Sequence, residues 1–82
     1  MEVIRMNKGS WGKVRAFFDL KTSDGLVVKG FKLIEGIDGM FVGLPSQQDK
    51  DGEYYPTVNC DKEVMYKIQN IAEGKYAKGD SF

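Results

Sequence analysis

Lys13-Val14-Arg15-Ala16-Phe17-Phe18-Asp19-Leu20-Lys21, then Ser23-Asp24-Gly25, then Leu26-Val27-Val28-Lys29-Gly30-Phe31-Lys32-Leu33-Ile34, is the stretch that decides the fold. In its first arm Val14, Ala16, Phe18 and Leu20 share one parity, and Lys13, Arg15, Asp19 and Lys21 share the other. Alternation of period two marks a half-buried strand, and only Phe17 interrupts the polar face. Ser-Asp-Gly is a turn signal, so residues 13–21 and 26–35 form a hairpin. In the second arm the alternation slips. Leu26 and Val28 share a parity, whereas Phe31 and Leu33 lie on the opposite one. One extra residue at Lys29-Gly30 restores the phase, which predicts a β-bulge there, a position glycine favours.

Outward from this hairpin, residues 2–7 read as a first strand and Lys8-Gly9-Ser10-Trp11-Gly12 as a turn. On the other side Glu35-Gly36-Ile37-Asp38-Gly39 is a tight glycine turn. Residues 40–44, Met-Phe-Val-Gly-Leu, form a fourth strand that is apolar on both faces. Such a strand is central, or has a helix on one side and a partner on the other. Pro45 ends it. Ser46 to Glu53 is a polar loop with an Asp51-Gly52 turn, and Tyr54 to Val58 is a candidate fifth strand, confined to an edge by Pro56. Asn59 or Asp61 can cap a helix in which Val64, Ile68, Ile71 and Ala72 make one apolar stripe, widened by Met65. Gly74 is a natural stop, and the tail from Lys78 frays. The expectation is an α+β fold, a single antiparallel sheet of four to five strands with one C-terminal helix. It forms one domain over residues 1–82 with an ordered core at about 2–77.

The chain has 82 residues, one cysteine and no histidine. A domain this short buries a thin core, and the usual staples are few. A single Cys60 allows no internal disulfide. Without histidine a Cys/His zinc cluster and a Ser/His/Asp or Cys/His catalytic arrangement are both excluded. Oligomerisation is the staple left over, so a homodimer is expected. The N-terminus is too short and polar for a signal peptide, and no apolar run reaches membrane-span length. A cytoplasmic protein with no membrane partner is expected.

No cofactor or metal is expected either. The acidic cluster Asp49, Asp51 and Glu53 sits in a loop whose turn already demands Asp51-Gly52 and lacks the EF-hand spacing. Gly36, Gly39 and Gly43 fit neither the dinucleotide fingerprint nor the P-loop, and turn geometry accounts for them. Cys60 beside a helix start can have a lowered pKa, but with no base nearby a structural role is the simpler reading. The chain is expected to bind rather than to catalyse.

The formal net charge is zero, with 12 basic and 12 acidic residues, unevenly spread. Residues 1–32 hold seven bases and three acids, net +4, and residues 33–63 hold two bases and seven acids, net −5. Lys13, Arg15 and Lys21 share a strand face with Phe17, a pattern that suits phosphates and stacked bases. The competing reading is a solvated strand face or one buried in a dimer.

The string from Leu26 to Ser46, followed by Asp51-Gly52-Glu53-Tyr54, resembles the signature of the SpoVG (stage V sporulation protein G) septation family: Ile-Glu-Gly-x-x-Gly-Leu-Phe-x-x-x-Pro-Ser, a basic loop, then Asp-Gly-Glu-Tyr or Phe. Ile34, Glu35, Gly36, Gly39, Phe41, Pro45, Ser46, Asp51, Gly52 and Glu53 match, and Lys67-Ile68-Gln69 resembles the middle of the family's helix. The resemblance covers residues 13–76. It implies an α+β fold that dimerises, and a bacterial regulator of septation and sporulation that binds DNA and RNA through the loop after Pro-Ser and through the C-terminal helix. Carried onto this chain, those positions are Gln47, Gln48 and Lys50 in the loop and Lys62 and Lys67 in the helix. Lys13 and Arg15 are added from the strand pattern. This chain departs from the family where a Lys-Arg pair becomes Gln47-Gln48, where His-Pro-Ile becomes the Val58-Asn59-Cys60 region, and where helix charges become Val64, Met65 and Tyr66. The alternative is a protein-interaction module that keeps the fold without strong nucleic-acid binding.

Overall fold

The alternating stretch at residues 13–34 forms the two middle strands of a four-stranded antiparallel sheet. A computed structural model of the chain describes residues 1–77, so the fraying expected from Lys78 lies outside the described residues. The strands are β1 (Glu2–Trp11), β2 (Val14–Lys21), β3 (Val27–Gly36) and β4 (Gly39–Gly43), laid side by side in chain order. The loop between β2 and β3 closes as its residues predict. Thr22 N–H donates to Leu26 O at 2.8 Å, and Gly25, at φ +93°, donates to Thr22 O at 3.0 Å. The Thr22 hydroxyl donates to the Asp24 carboxylate and holds it below the usual carboxylate range.

The expected bulge is present. Phe18 pairs with Phe31 and Leu20 with Val28, so two steps on β2 face three on β3. Gly30 takes up the difference at φ +93°, and its N–H donates to Asp19 Oδ1 at 3.3 Å. A Cβ at position 30 would meet only the Pro45 Cβ, at an ordinary 3.8 Å, so the cost of a side chain there is conformational. Gly30→Ala should lower the unfolding free energy by about 1–2 kcal/mol, and Gly30→Asn by less, since asparagine tolerates this region. Urea denaturation of the two variants gives the comparison.

Two expectations are corrected. β1 does not stop at Asn7. It runs on to Trp11 through an irregularity between Lys8 and Trp11, and the turn shrinks to Gly12-Lys13, with Gly12 at φ +64°. Gly9-Ser10 has poor strand propensity, but the Trp11 indole lies across Gly9 and packs edge-on to Phe17 at 4.8 Å, so side-chain packing overrides propensity. Secondly, the sheet is not joined by a fifth strand. Ser46–Gln48, read as loop, is strand β5 and pairs with β6 (Tyr54–Pro56) in a separate two-stranded ribbon. Pro45 is buried and anchors its base, its carbonyl accepting from Thr57 N–H at 2.8 Å.

The helix α1 (Lys62–Ala77) crosses one face of the sheet. Asp61 caps it, Oδ1 accepting from Val64 N–H at 3.2 Å, as one of the two expected caps. Gly74 does not stop it; the helix continues to Ala77. Ile68 and Ala72 are buried on Met6, Ala16, Phe18, Leu20, Phe31, Leu33 and Val42, with Val64, Met65 and Ile71 half-buried beside them. Phe18 and Phe31 stack at 5.3 Å within this core. Two polar contacts fix the helix further. Gln69 Nε2 donates to Met40 O at 2.9 Å, and Lys8 Nζ donates to Tyr76 O at 2.8 Å with its charge 4.9 Å from the Tyr76 ring centroid. A cation at the carbonyl end of a helix is favourably placed. β4 is an edge strand, not a central one. Val42 faces the helix side and is buried, while Phe41 on the other face is exposed.

Candidate nucleic-acid interface

Short polar residues around an Asp-Gly turn make a ribbon that stands clear of the core. Asp49 builds the turn. Its N–H donates to Glu53 O at 2.8 Å, its carbonyl accepts from Gly52 N–H at 3.1 Å, and its Oδ1 accepts from Asp51 N–H and Glu53 N–H at 2.9 and 3.0 Å. Gly52 sits at φ +86°, which is why glycine follows aspartate here. The Asp49 carboxylate is thus spent on backbone amides. Gln48 pairs with Tyr54 and Gln47 with Tyr55, so each face of the ribbon carries one amide beside one phenol. All six ribbon residues are exposed, Tyr54 to 70%. Gln48 Nε2 donates to Gly52 O at 3.1 Å, and Lys50 projects from the tip.

The other expected residues occupy different elements. Lys62 and Lys67 are exposed on α1, but five residues apart they point about 140° from one another and do not form one stripe. Lys62 and Tyr66, four apart, share a side. Arg15 is committed elsewhere. It makes an ion pair with Glu35 at 3.1 Å and donates to Ser10 Oγ and Gly12 O at 3.3 and 3.2 Å. The pairing of β2 slips between Val14 and Ala16, which breaks the strand face expected to hold Lys13, Arg15 and Lys21 together. Lys13 accepts from Glu35 N–H through its carbonyl at 2.9 Å and lies beside the β3–β4 turn. The loop residues Gln47, Gln48 and Lys50 are therefore the ones that the fold brings together.

Of the motif residues expected in turns, Asp51 and Gly52 lie in one, Gly36 and Gly39 flank another, and Glu35 and Ser46 lie in strands. Gly39, at φ +130°, closes the β3–β4 turn. Gly36 lies under the Phe41 ring, where a Cβ would come within 3.1 Å of Cε1. Glu35 holds Arg15, and Ser46 opens β5 opposite Pro56. Cys60 is half-buried against the core, and burial first, the Asp61 charge second, push its thiol up. The lowered pKa that a helix start can give is not found, because Cys60 sits before the Asp61 cap and loses solvent on the core side. Its thiolate is scarce at neutral pH, which makes it a poor nucleophile. Missed in the sequence were Tyr54 and Tyr55 as partners of the two glutamines. The signal for them is a Gln-Gln and a Tyr-Tyr pair flanking a five-residue Asp-Gly turn.

Among the described residues no helix is long and apolar enough to cross a membrane. The SpoVG family model matches residues 1–78. A relative from Symbiobacterium thermophilum, carrying the name septation protein SpoVG, is 38% identical over 66 residues, which is 79% of this chain and 47% of the relative, so the chain spans about half that relative's length. One of the same name from Archaeoglobus fulgidus is 39% identical over 72 residues, 88% of this chain and 75% of the relative. Another, from Clostridium botulinum, is 35% identical over 80 residues, 92% of this chain and 85% of the relative. A likeness that runs from the first strand through the last turn of the helix makes this chain a member of the SpoVG family.

Proposed function

We infer that the chain is a regulatory nucleic-acid-binding protein of septation-linked control, acting as a homodimer. The exposed β5–β6 ribbon carries this reading. A two-stranded ribbon fits the major groove of duplex DNA, and a glutamine amide can bond an adenine edge in two places. Gln47 would read bases, Lys50 at the tip would meet phosphate, and Lys62 and Lys67 would add backbone contacts. The unpaired edge of β4 offers a second copy a strand to extend.

Few cations are available, so the salt dependence should be shallow. Each phosphate contact contributes roughly one unit to the slope of log affinity against log salt. With Lys50, Lys62 and Lys67 engaged, the slope should be about −3, and Lys50→Gln should flatten it by about one unit. Anisotropy of labelled pooled DNA and RNA at two salt concentrations measures this. The absence of binding at low salt would remove the reading. One observation favours a second reading, a dimeric protein-interaction module. Around its turn the ribbon carries Asp49, Asp51 and Glu53 against Lys50 alone. A dimer by light scattering with no nucleic-acid binding is its result.

A further inference from the structure

We propose that the face of the sheet turned away from the helix is a stacking site for single-stranded nucleic acid; this rests on the nucleic-acid-binding reading and adds to the ribbon a second site for a different form of polymer. Two adjacent cross-strand rows build the site. In one, Trp11, Val14, Ile34 and Phe41 pair in turn across all four strands. In the next, Asn7, Phe17, Lys32 and Gly43 do the same. Cross-strand partners share a face, and Phe17 lies opposite to buried Ala16 and Phe18, so both rows face away from α1. Trp11 and Phe41 sit at the two ends of their row, about 14 Å apart at the usual strand spacing, and each is 48% exposed.

The rings are laid down on glycine. A Cβ on Gly9 would come within 2.6–3.0 Å of three carbons of the Trp11 six-membered ring. One on Gly36 would stand 3.1–3.3 Å from the edge of Phe41. Backbone without side chains lets these rings rest against the sheet and offer a flat outer surface, the requirement for stacking a base.

Charge selects the occupant. Among the described residues, Arg5, Lys13, Lys21, Lys29 and Lys32 of the N-terminal half take part in no ion pair within 4 Å. On this face Glu2 lies opposite Lys21 and Asp19 opposite Arg5, so those cations have carboxylates across from them. Lys32 has none and stands between Phe17 and Gly43 inside the apolar rows. A second copy seated on this face would bring that ammonium only Glu2 and Asp19, which already stand opposite Lys21 and Arg5, so each copy would bury one cation in excess, which is costly. A single strand supplies phosphate to Lys32 and bases to the rings, whereas the bases of a duplex are stacked on each other and unavailable.

Trp11 is the single tryptophan of the chain, so its emission reports on the site. The full chain is titrated with fluorescently labelled oligothymidylate, following anisotropy of the label and, with unlabelled oligomer, quenching of Trp11. The expected result is quenching by oligothymidylate but not by an abasic oligomer or inorganic polyphosphate. Phe41→Ala should weaken binding roughly five- to hundredfold, and Lys32→Gln should flatten the salt slope by about one unit. Both side chains lie outside the core, and circular dichroism checks that each variant folds. Binding by anisotropy with Trp11 unmoved and Phe41→Ala unimpaired overturns the proposal and leaves the ribbon reading standing. No binding to any nucleic acid removes both. Trp11 emission that follows protein concentration alone, with a doubled mass that Phe41→Ala abolishes, assigns the face to a second copy and also overturns it.

Discussion

Phe18→Ala should lower the unfolding free energy by about 3–5 kcal/mol. Phe18 is the bulkiest fully buried side chain among the described residues, and it stacks on Phe31 in the middle of the sheet. Its removal leaves a cavity walled by strands whose ladder bonds keep them from closing in. A chain of this size has a total stability of about 4–12 kcal/mol, so the substitution removes at least about a quarter of it. Urea denaturation followed by far-ultraviolet circular dichroism measures the loss. A change below about 1 kcal/mol would mean that the core is not centred on this ring pair.

Ile68→Ala should cost about 2–5 kcal/mol, with a different signature. Ile68 and Ala72 are the two buried residues of α1, and the larger apolar side chains beside them, Val64, Met65 and Ile71, are only half-buried. A helix of 16 residues is marginal by itself in water, so loss of docking means loss of helix. Ellipticity at the helix wavelength should melt ahead of Trp11 fluorescence, which watches the opposite face. A single coincident transition would show that sheet and helix unfold as one unit.

The sheet was legible because its middle hairpin carries an uninterrupted alternation, and even the defect at Lys29-Gly30 announced itself as a slip of phase between Val28 and Phe31. The helix was legible through its stripe from Val64 to Ala72, although Gly74 misled, because a glycine on an exposed helix side can be tolerated when the turn around it is held elsewhere, here by Lys8 at the Tyr76 carbonyl. The extension of β1 was hidden, since Gly9-Ser10 reads as turn until an indole is laid across it. The ribbon was hidden for a similar reason. Ser-Gln-Gln has no hydrophobic period, and its pairing with Tyr-Tyr-Pro depends on the Asp49 turn and the Pro45 anchor. For the site, residues on one short element, Gln47, Gln48 and Lys50, came out together. Arg15 did not, because the slip between Val14 and Ala16 turned it to Glu35, a register event that composition does not signal.

The clasp between Lys8 and Tyr76 joins residues 68 positions apart, whereas every strand of the sheet pairs with its neighbour in the chain. Closing a loop of that span costs about 2 kcal/mol more than closing a turn of a handful of residues. The meander can therefore zip hairpin by hairpin, in the order in which a ribosome delivers it, before the last segment exists. The clasp is then a late bolt. It adds nothing to the speed of assembly and acts instead on the rate at which the finished molecule opens, so weakening it should shorten the lifetime of the native state while leaving the refolding rate unchanged.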